Sequence, residues 1–478
     1  MNYEFGIMNS ERAAAKLLII ALFAILLLPA MAGAYTLFGE RTVNRRWPAP
    51  AQVTYHINEL GTPQVPFASL RPAMVAGMDV WTAVEDSELA FIDGGNTTAS
   101  YNIGDGINAV TYINSDWPFS SGIVAFAQRV RAEDGPDLDL TIEADIVLNG
   151  VHHAWTVTGQ TMRFDVQSAI VHEAGHAAGL DHTPLRGSSM YWQFTRVNQG
   201  GSSGIEGRTL AADDIAGVQD LYGTGAGTGG LAGTVFSDIG GQGMVVGAVN
   251  MNTGETITAV CGGRAELPND AWQMNRLPPG EYVVFTFPVD DVGFGMLPID
   301  YDSQFINIDN VFQPRFYRAG VSGGAGRLAD ATVVQVTADA VVSDLDIVPP
   351  QSVVSRNLYY TSLASNAASP TAALVTTANQ TIFYGFSLTA NQPRLLGPAG
   401  NTMTAGLQVG SWASPTGIGG ETVGRWSSDV SLTAGQRGAL LTLFVEYGDD
   451  EVDFLPGSVE IGFDIPAEEG AEDRWWVF

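Results

Sequence analysis

Cysteine is almost missing from this sequence. Cys261 is the only one in 478 residues, which excludes any disulfide within the chain and leaves no thiol near the amino terminus for a lipid anchor. Lysine is as scarce: Lys16 stands alone, and the remaining positive charge comes from arginine. Basic residues are few altogether, 22 against 51 acidic, for a formal net charge of -29. A surface so acidic repels phosphate backbones and anionic lipid, so neither nucleic acid nor a charged membrane face is an expected partner. Beyond the amino terminus no apolar run is long enough to cross a bilayer, and no stable membrane insertion is expected. What the chain does have is 45% hydrophobic and 10% aromatic residues, ample for packed cores. Its 56 glycines and 23 prolines favour turns and short strands, and its length calls for several domains.

The first residues read as an export signal. Arg12 and Lys16 flank an unbroken apolar run from Leu17 to Leu28, and Ala32-Gly33-Ala34 offers a small-residue cleavage site before Tyr35. Residues 1–34 are therefore expected to be a signal peptide and the protein to be secreted, extracellular or held at the cell surface. Glu4 is unusual ahead of such a run, and Met8 is an alternative start.

Residues 35–223 read as one α+β or mixed α/β unit. Ala68 to Val84 carries Met74, Met78, Trp81 and Val84 at helical spacing, and strand-like runs follow at 89–92, 109–113, 123–130 and 144–148. A second helix is expected from Asp165, as amino-terminal cap, through His176, and a third over 212–221, stopped by Gly223. The Gly-rich stretch 224–230 has the composition of a flexible linker. Beyond it the pattern is short strands and turns, read as two all-β sandwich domains over 231–348 and 351–478, divided near Pro349-Pro350. Gly233-Thr234-Val235, Gly247-Ala248-Val249 and Leu277-Pro278-Pro279-Gly280-Glu281-Tyr282 in the first of these resemble prealbumin-like, or carboxypeptidase-regulatory-like, modules.

Chemistry concentrates in the segment from His172 to His182, His-Glu-Ala-Gly-His-Ala-Ala-Gly-Leu-Asp-His, which holds three of the 6 histidines. Residues four apart share a helix face, so His172 and His176 present their imidazoles together. A third ligand six residues on cannot share that face unless the helix ends, and Gly179 is the residue able to end it in the left-handed conformation and turn the chain back. Three imidazole nitrogens leave one tetrahedral position open for water, the arrangement of a catalytic zinc. Glu173 follows the first ligand and is the candidate general base.

This segment resembles the extended metzincin motif, with Ser188-Ser189-Met190-Tyr191 as its methionine turn. Within that clan the chain is similar to the matrixins, the matrix-metalloprotease-like family: Asp165 stands seven residues before His172, and residues 210–223 match the closing helix. The resemblance covers about residues 40–223. It implies a metzincin-like mixed sheet with an active-site helix, one catalytic Zn2+ on His172, His176 and His182, and Met190 beneath it. It also implies a substrate bound along an edge strand near Ile123, Val124 and Ala125. Tyr191 directly follows the methionine, so it does not match the extra tyrosine ligand of astacins and serralysins.

Several positions depart from the family. Cys261 follows the motif, so latency through a cysteine–zinc bond is not expected, and Cys261 reads as a buried apolar residue. Ala125 and Val147 stand where two structural-zinc histidines would fall, His152-His153 reads as surface or strand, and Ala211 replaces a capping serine. Asp134/Asp137/Asp139 and Asp300/Asp302/Asp309 are candidate Ca2+ ligands, with solvated acidic loops as the other reading. The expected function is zinc-dependent hydrolysis of internal peptide bonds of proteins or peptides. The alternative is a secreted binding or adhesion protein with an inactive metalloprotease-like domain, which an intact Glu173 speaks against.

Overall fold

The computed structural model describes residues 46–351, except 134–137, 139, 186, 193–195, 198–204, 237–243, 252, 254, 263–267, 269 and 289–311. Beyond 351 it describes the backbone of strands between Asn357 and Val477. The expected signal peptide and both candidate calcium clusters lie outside the described residues.

A five-stranded sheet organises the first half of the chain. Its strands are β1 (Gln52–Asn58), β2 (Ala90–Thr97), β3 (Asn108–Ile113), β4 (Ala125–Arg131) and β5 (Thr141–Asn149), in the order β2-β1-β3-β5-β4. The first four in that order are parallel, and β4 closes one edge antiparallel to β5. β1, a parallel interior strand, was absent from the sequence-based expectation. Val53, Tyr55 and Ile57 alternate with polar residues and turn inward, so the period-two signal was present but short.

Helix α1 (Phe67–Thr82) crosses from β1 to β2 and buries Leu70, Met74, Met78 and Trp81. These occur every three to four residues, one stripe of a helix laid on a sheet. A short parallel pair, β6 (Trp155–Thr156) and β7 (Phe164–Asp165), leads into helix α2 (Val166–Ala178), which is buried along nearly its whole length, between α1 and strands β4 and β5. Helix α3 (Ala212–Tyr222) follows. Tyr222 turns its hydroxyl to the carbonyl of Ala178, and Trp47 donates Nε1–H to the Ala177 carbonyl at 2.8 Å, so both fasten the end of α2. Among the described residues no helix is long and apolar enough to cross a membrane.

The Gly-rich stretch is not loose. Thr224 and Gly225 bond to Asp86, and Gly227 N–H reaches Asp339. Gly229 and Gly230 belong to β8 (Gly229–Thr234). Here glycine serves close approach: a Cβ on Gly229 would meet the Thr337 carbonyl oxygen at 2.3 Å.

From β8 the described chain is mostly strands, with a short 3-10 turn at Leu328–Asp330. β9 (Val245–Asn250), β10 (Thr256–Val260), β12 (Gly280–Phe287), β13 (Arg315–Phe316) and β14 (Val333–Val336) form one sheet, with β10 at its edge. β11 (Ala271–Leu277), β8 and β15 (Val341–Val342) form a second. Trp272 and Met274 of the second sheet share an apolar cluster with Val246, Ile257 and Tyr282 of the first. That cluster continues without a break into Met190, Val218 and Leu221 of the preceding unit. Cys261 is fully buried in it, and burial pushes its thiol pKa up. Farther on, Leu440–Glu446 and Val452–Ile461 pair antiparallel, as do Asn357–Leu363 and Thr371–Thr377.

Candidate metal centre

Helix α2 starts where its cap can act. Asp165 stands outside the helix in extended conformation and accepts the Ser168 N–H at 3.0 Å, while Arg208 clamps the same buried carboxylate at 2.6 Å. The helix ends at Gly179, with φ 114°, and the N–H groups of Gly179 and Leu180 both return to the Gly175 carbonyl. That turn brings His182 back under the helix.

The three imidazoles meet at one point. Nε2 of His176 lies 3.0 Å from Nε2 of His172 and 3.2 Å from Nε2 of His182, and the third side of the triangle is 3.3 Å. Nδ1 of His172 faces the Ser189 carbonyl at 2.6 Å, and Nδ1 of His176 faces the Leu180 carbonyl at 2.9 Å. A carbonyl only accepts, so in each ring Nδ1 carries the proton and Nε2 presents a lone pair. Burial, then the neighbouring imidazole, lowers the His172 pKa to about 3 and takes His176 well below its ordinary value, so both rings stay neutral. Lone pairs converging this closely repel unless a cation lies among them. Tetrahedral zinc bound at about 2.0–2.1 Å would separate its nitrogen ligands by about 3.3–3.4 Å. The donor set therefore fits zinc. Among the described residues this is the one group of three or more His, Cys, Asp or Glu side chains that could hold a metal ion.

Glu173 follows His172 on the helix and is buried. The Ala127 backbone N–H bonds to its carboxylate, and Oε2 has no hydrogen-bond partner. Burial pushes its pKa up to about 8. Ala127 is on β4, so the edge strand and the candidate base are joined directly. Of the residues expected to line a substrate, Ala125 opens β4 opposite Leu148, whereas Ile123 and Val124 precede the strand and bond through their carbonyls to Asn149.

Met190 packs under the histidines against Gly175. A Cβ at Gly175 would stand 2.3 Å from Met190 Sδ and 2.7 Å from Trp81 Cζ2, whose indole is tied to the Val171 carbonyl. Gly175→Ala should therefore destabilise the protein by about 1–3 kcal/mol despite alanine's better helix propensity. Urea unfolding checks this, and an unchanged midpoint would mean the packing yields freely.

The turn before Met190 is held by Asp214, which accepts from Ser188 Oγ, from Ser189 N–H at 2.9 Å and from Met190 N–H at 3.1 Å. The same carboxylate takes the Ala211 N–H at 2.8 Å, the reciprocal half of a capping box whose other half Ala211 has no side-chain oxygen to supply.

Residues 46–223 match the family model described as matrixin. This segment is a matrixin-like domain. The chain is also similar to matrilysin of Mus musculus, 32% identical over 118 residues, covering 22% of this chain and 42% of that protein. It thus spans under half the length of the curated relative that it matches. The family match is confined to residues 46–223, the segment that carries the three histidines. The positions that departed from the family lie as follows. His152 is exposed, His153 is half-buried with its ring 5.1 Å from Phe164, and Ala125 and Val147 face each other's neighbours on β4 and β5.

Two residues of the matrixin-like domain gained their roles only in the structure. Acidic residues in a helix's first turn ordinarily just complement its dipole, but Asp213 and Asp214 are both buried. Asp213 accepts Thr183 Oγ1 at 2.6 Å and Thr258 N–H at 2.7 Å. Burial raises its pKa from 3.8 to about 7 against those bonds. Between those values the folded chain holds a proton that the unfolded chain has released, so Asp213 makes stability fall as pH rises through that window. The slope is at most about 1.4 kcal/mol per pH unit. Asp213→Asn should flatten this part of the profile, measured as the difference between wild-type and variant urea midpoints across the window. Parallel profiles would show that Asp213 does not titrate there.

Proposed function

We propose that this protein is a secreted zinc-dependent endopeptidase, with His172, His176 and His182 as metal ligands and Glu173 as general base. The observation that carries the reading is the triangle of converging Nε2 lone pairs, with Glu173, next to the first of these histidines in the chain, holding a buried Oε2 that has no hydrogen-bond partner. Bound zinc supplies a Lewis acid that polarises a peptide carbonyl and acidifies water.

The rest is the chain's own work. Ser189 and Leu180 carbonyls orient the first two imidazoles, and the left-handed turn at Gly179 presents the third. Glu173 takes the proton of the attacking water at its free oxygen and returns it to the leaving amine, while Ala127 N–H steadies the other side of the carboxylate. Ala125 alternates with neighbours paired to β5, so its N–H and C=O face outward, where an extended substrate can add as a further strand. The apolar run at 17–28 supports export, and residues 231–348 and 351–478 are read as accessory β-sandwiches.

The test is metal removal. Chelator should abolish cleavage of an unstructured protein substrate, and added zinc should restore it. Activity persisting in protein shown to be metal-free would end the assignment.

A further inference from the structure

The family match ends at residue 223, yet the site's supports do not. Thr183 directly follows the third histidine. Its hydroxyl bonds to Asp213 at 2.6 Å and lies 3.1 Å from the hydroxyl of Thr258, which sits on β10 beyond the Gly-rich stretch. Thr258 gives Asp213 two donors, its N–H at 2.7 Å and its hydroxyl at 3.2 Å. β10 is an edge strand, and this N–H points away from β9, toward α3. All three side chains are buried, so none of these bonds competes with water. A second contact reaches the same loop: Tyr191 and Trp192, which follow Met190, pack on Val245 and Val260. Thr183 N–H also bonds to the Met190 carbonyl at 3.0 Å, closing the loop between ligand and methionine.

We infer that Thr258 is a positioning residue of the metal centre, acting through Asp213 and Thr183 on His182, so that the first β-module buttresses the ligand-bearing loop. The inference rests on reading the three histidines as ligands. Outer-shell partners of metal ligands are commonly worth about 10–100-fold in metal affinity. This one acts through two hydrogen bonds, so the lower end applies.

The experiment uses the full chain loaded with zinc and measures the rate of zinc loss to an excess chelating dye, alongside kcat/KM. Thr258→Val keeps shape and backbone N–H but removes the hydroxyl, and should release zinc about 10-fold faster than wild type. Thr258→Ser restores the hydroxyl and should release within about twofold of wild type. Thr183→Val interrupts the same path, so the double variant should be no faster than the faster single one. Val283→Ala weakens a separate cluster in the module, with Phe285 and Phe316, and should leave the release rate unchanged. Wild-type release from Thr258→Val, multiplied effects in the double variant, or equal acceleration by Val283→Ala would each overturn the positioning role. Wild-type protein that takes up no zinc would instead overturn the reading of the histidines.

Discussion

Glu173→Gln should keep its zinc and its fold and lose about 10²–10⁴ in kcat/KM, the usual cost of removing a general base. Glutamine matches glutamate in size and helix compatibility but cannot accept a proton at neutral pH. The ligands on either side are untouched, and the orienting carbonyls of Ser189 and Leu180 are backbone groups, so metal content should stay at the wild-type level. The high end is expected because the same carboxylate serves twice, taking the proton from water and delivering it to the amine. Stability should not fall. Without metal, burial already favours the uncharged form of the Glu173 carboxyl, and an amide of the same size is likewise neutral. Bound zinc, thermal midpoint and kcat/KM measured on one preparation decide the matter. A fully metallated variant turning over near the wild-type rate would take Glu173 out of the chemistry.

How much of this was legible in the sequence depends on the distance over which each feature is specified. The helix carrying His172 and His176 is written locally: Asp165 caps it, the four-residue spacing sets one face, and Gly179 stops it. The methionine turn could be recognised as a pattern, but what holds it could not. Asp214 reaches Ser188, Ser189 and Met190 across more than twenty positions, and no local signal marks a first-turn aspartate as buried. The same holds for Thr258, one threonine in an unremarkable strand, whose partner Asp213 is forty-five residues away. Composition alone does not place the Gly-rich stretch, for a related reason. Composition records the freedom of glycine in an isolated chain, whereas here glycine admits neighbouring backbone closer than a Cβ would allow. β1 was missed because a seven-residue alternation with histidine and threonine on its outer face resembles a polar loop.

His182→Ala separates ligand from base by what it does to metal-linked stability. His182 differs from the other two ligands in standing off the helix, presented by the turn at Gly179 and a backbone bond to the Asp181 side chain at 2.7 Å. Its removal leaves His172 and His176 as a two-nitrogen site, below the three protein ligands of a catalytic zinc. Affinity should fall far enough that a metal buffer saturating the wild type leaves the variant empty, and turnover should be lost with it. Stability gives the sharper reading. A ligand that binds only the folded state adds RT ln(1 + [L]/Kd), about 2.7 kcal/mol at a hundredfold excess over Kd, so the wild-type thermal midpoint should climb with buffered zinc. The variant's midpoint should be flat over the same range. Without metal the order should level or reverse, because removing one imidazole relieves the crowding of three Nε2 lone pairs within 3.0–3.3 Å. Glu173→Gln, with all three nitrogens in place, should follow the wild-type climb while remaining inactive. A His182→Ala variant that retains one zinc per chain in the buffer, with a rising midpoint, would show that the third ligand lies elsewhere.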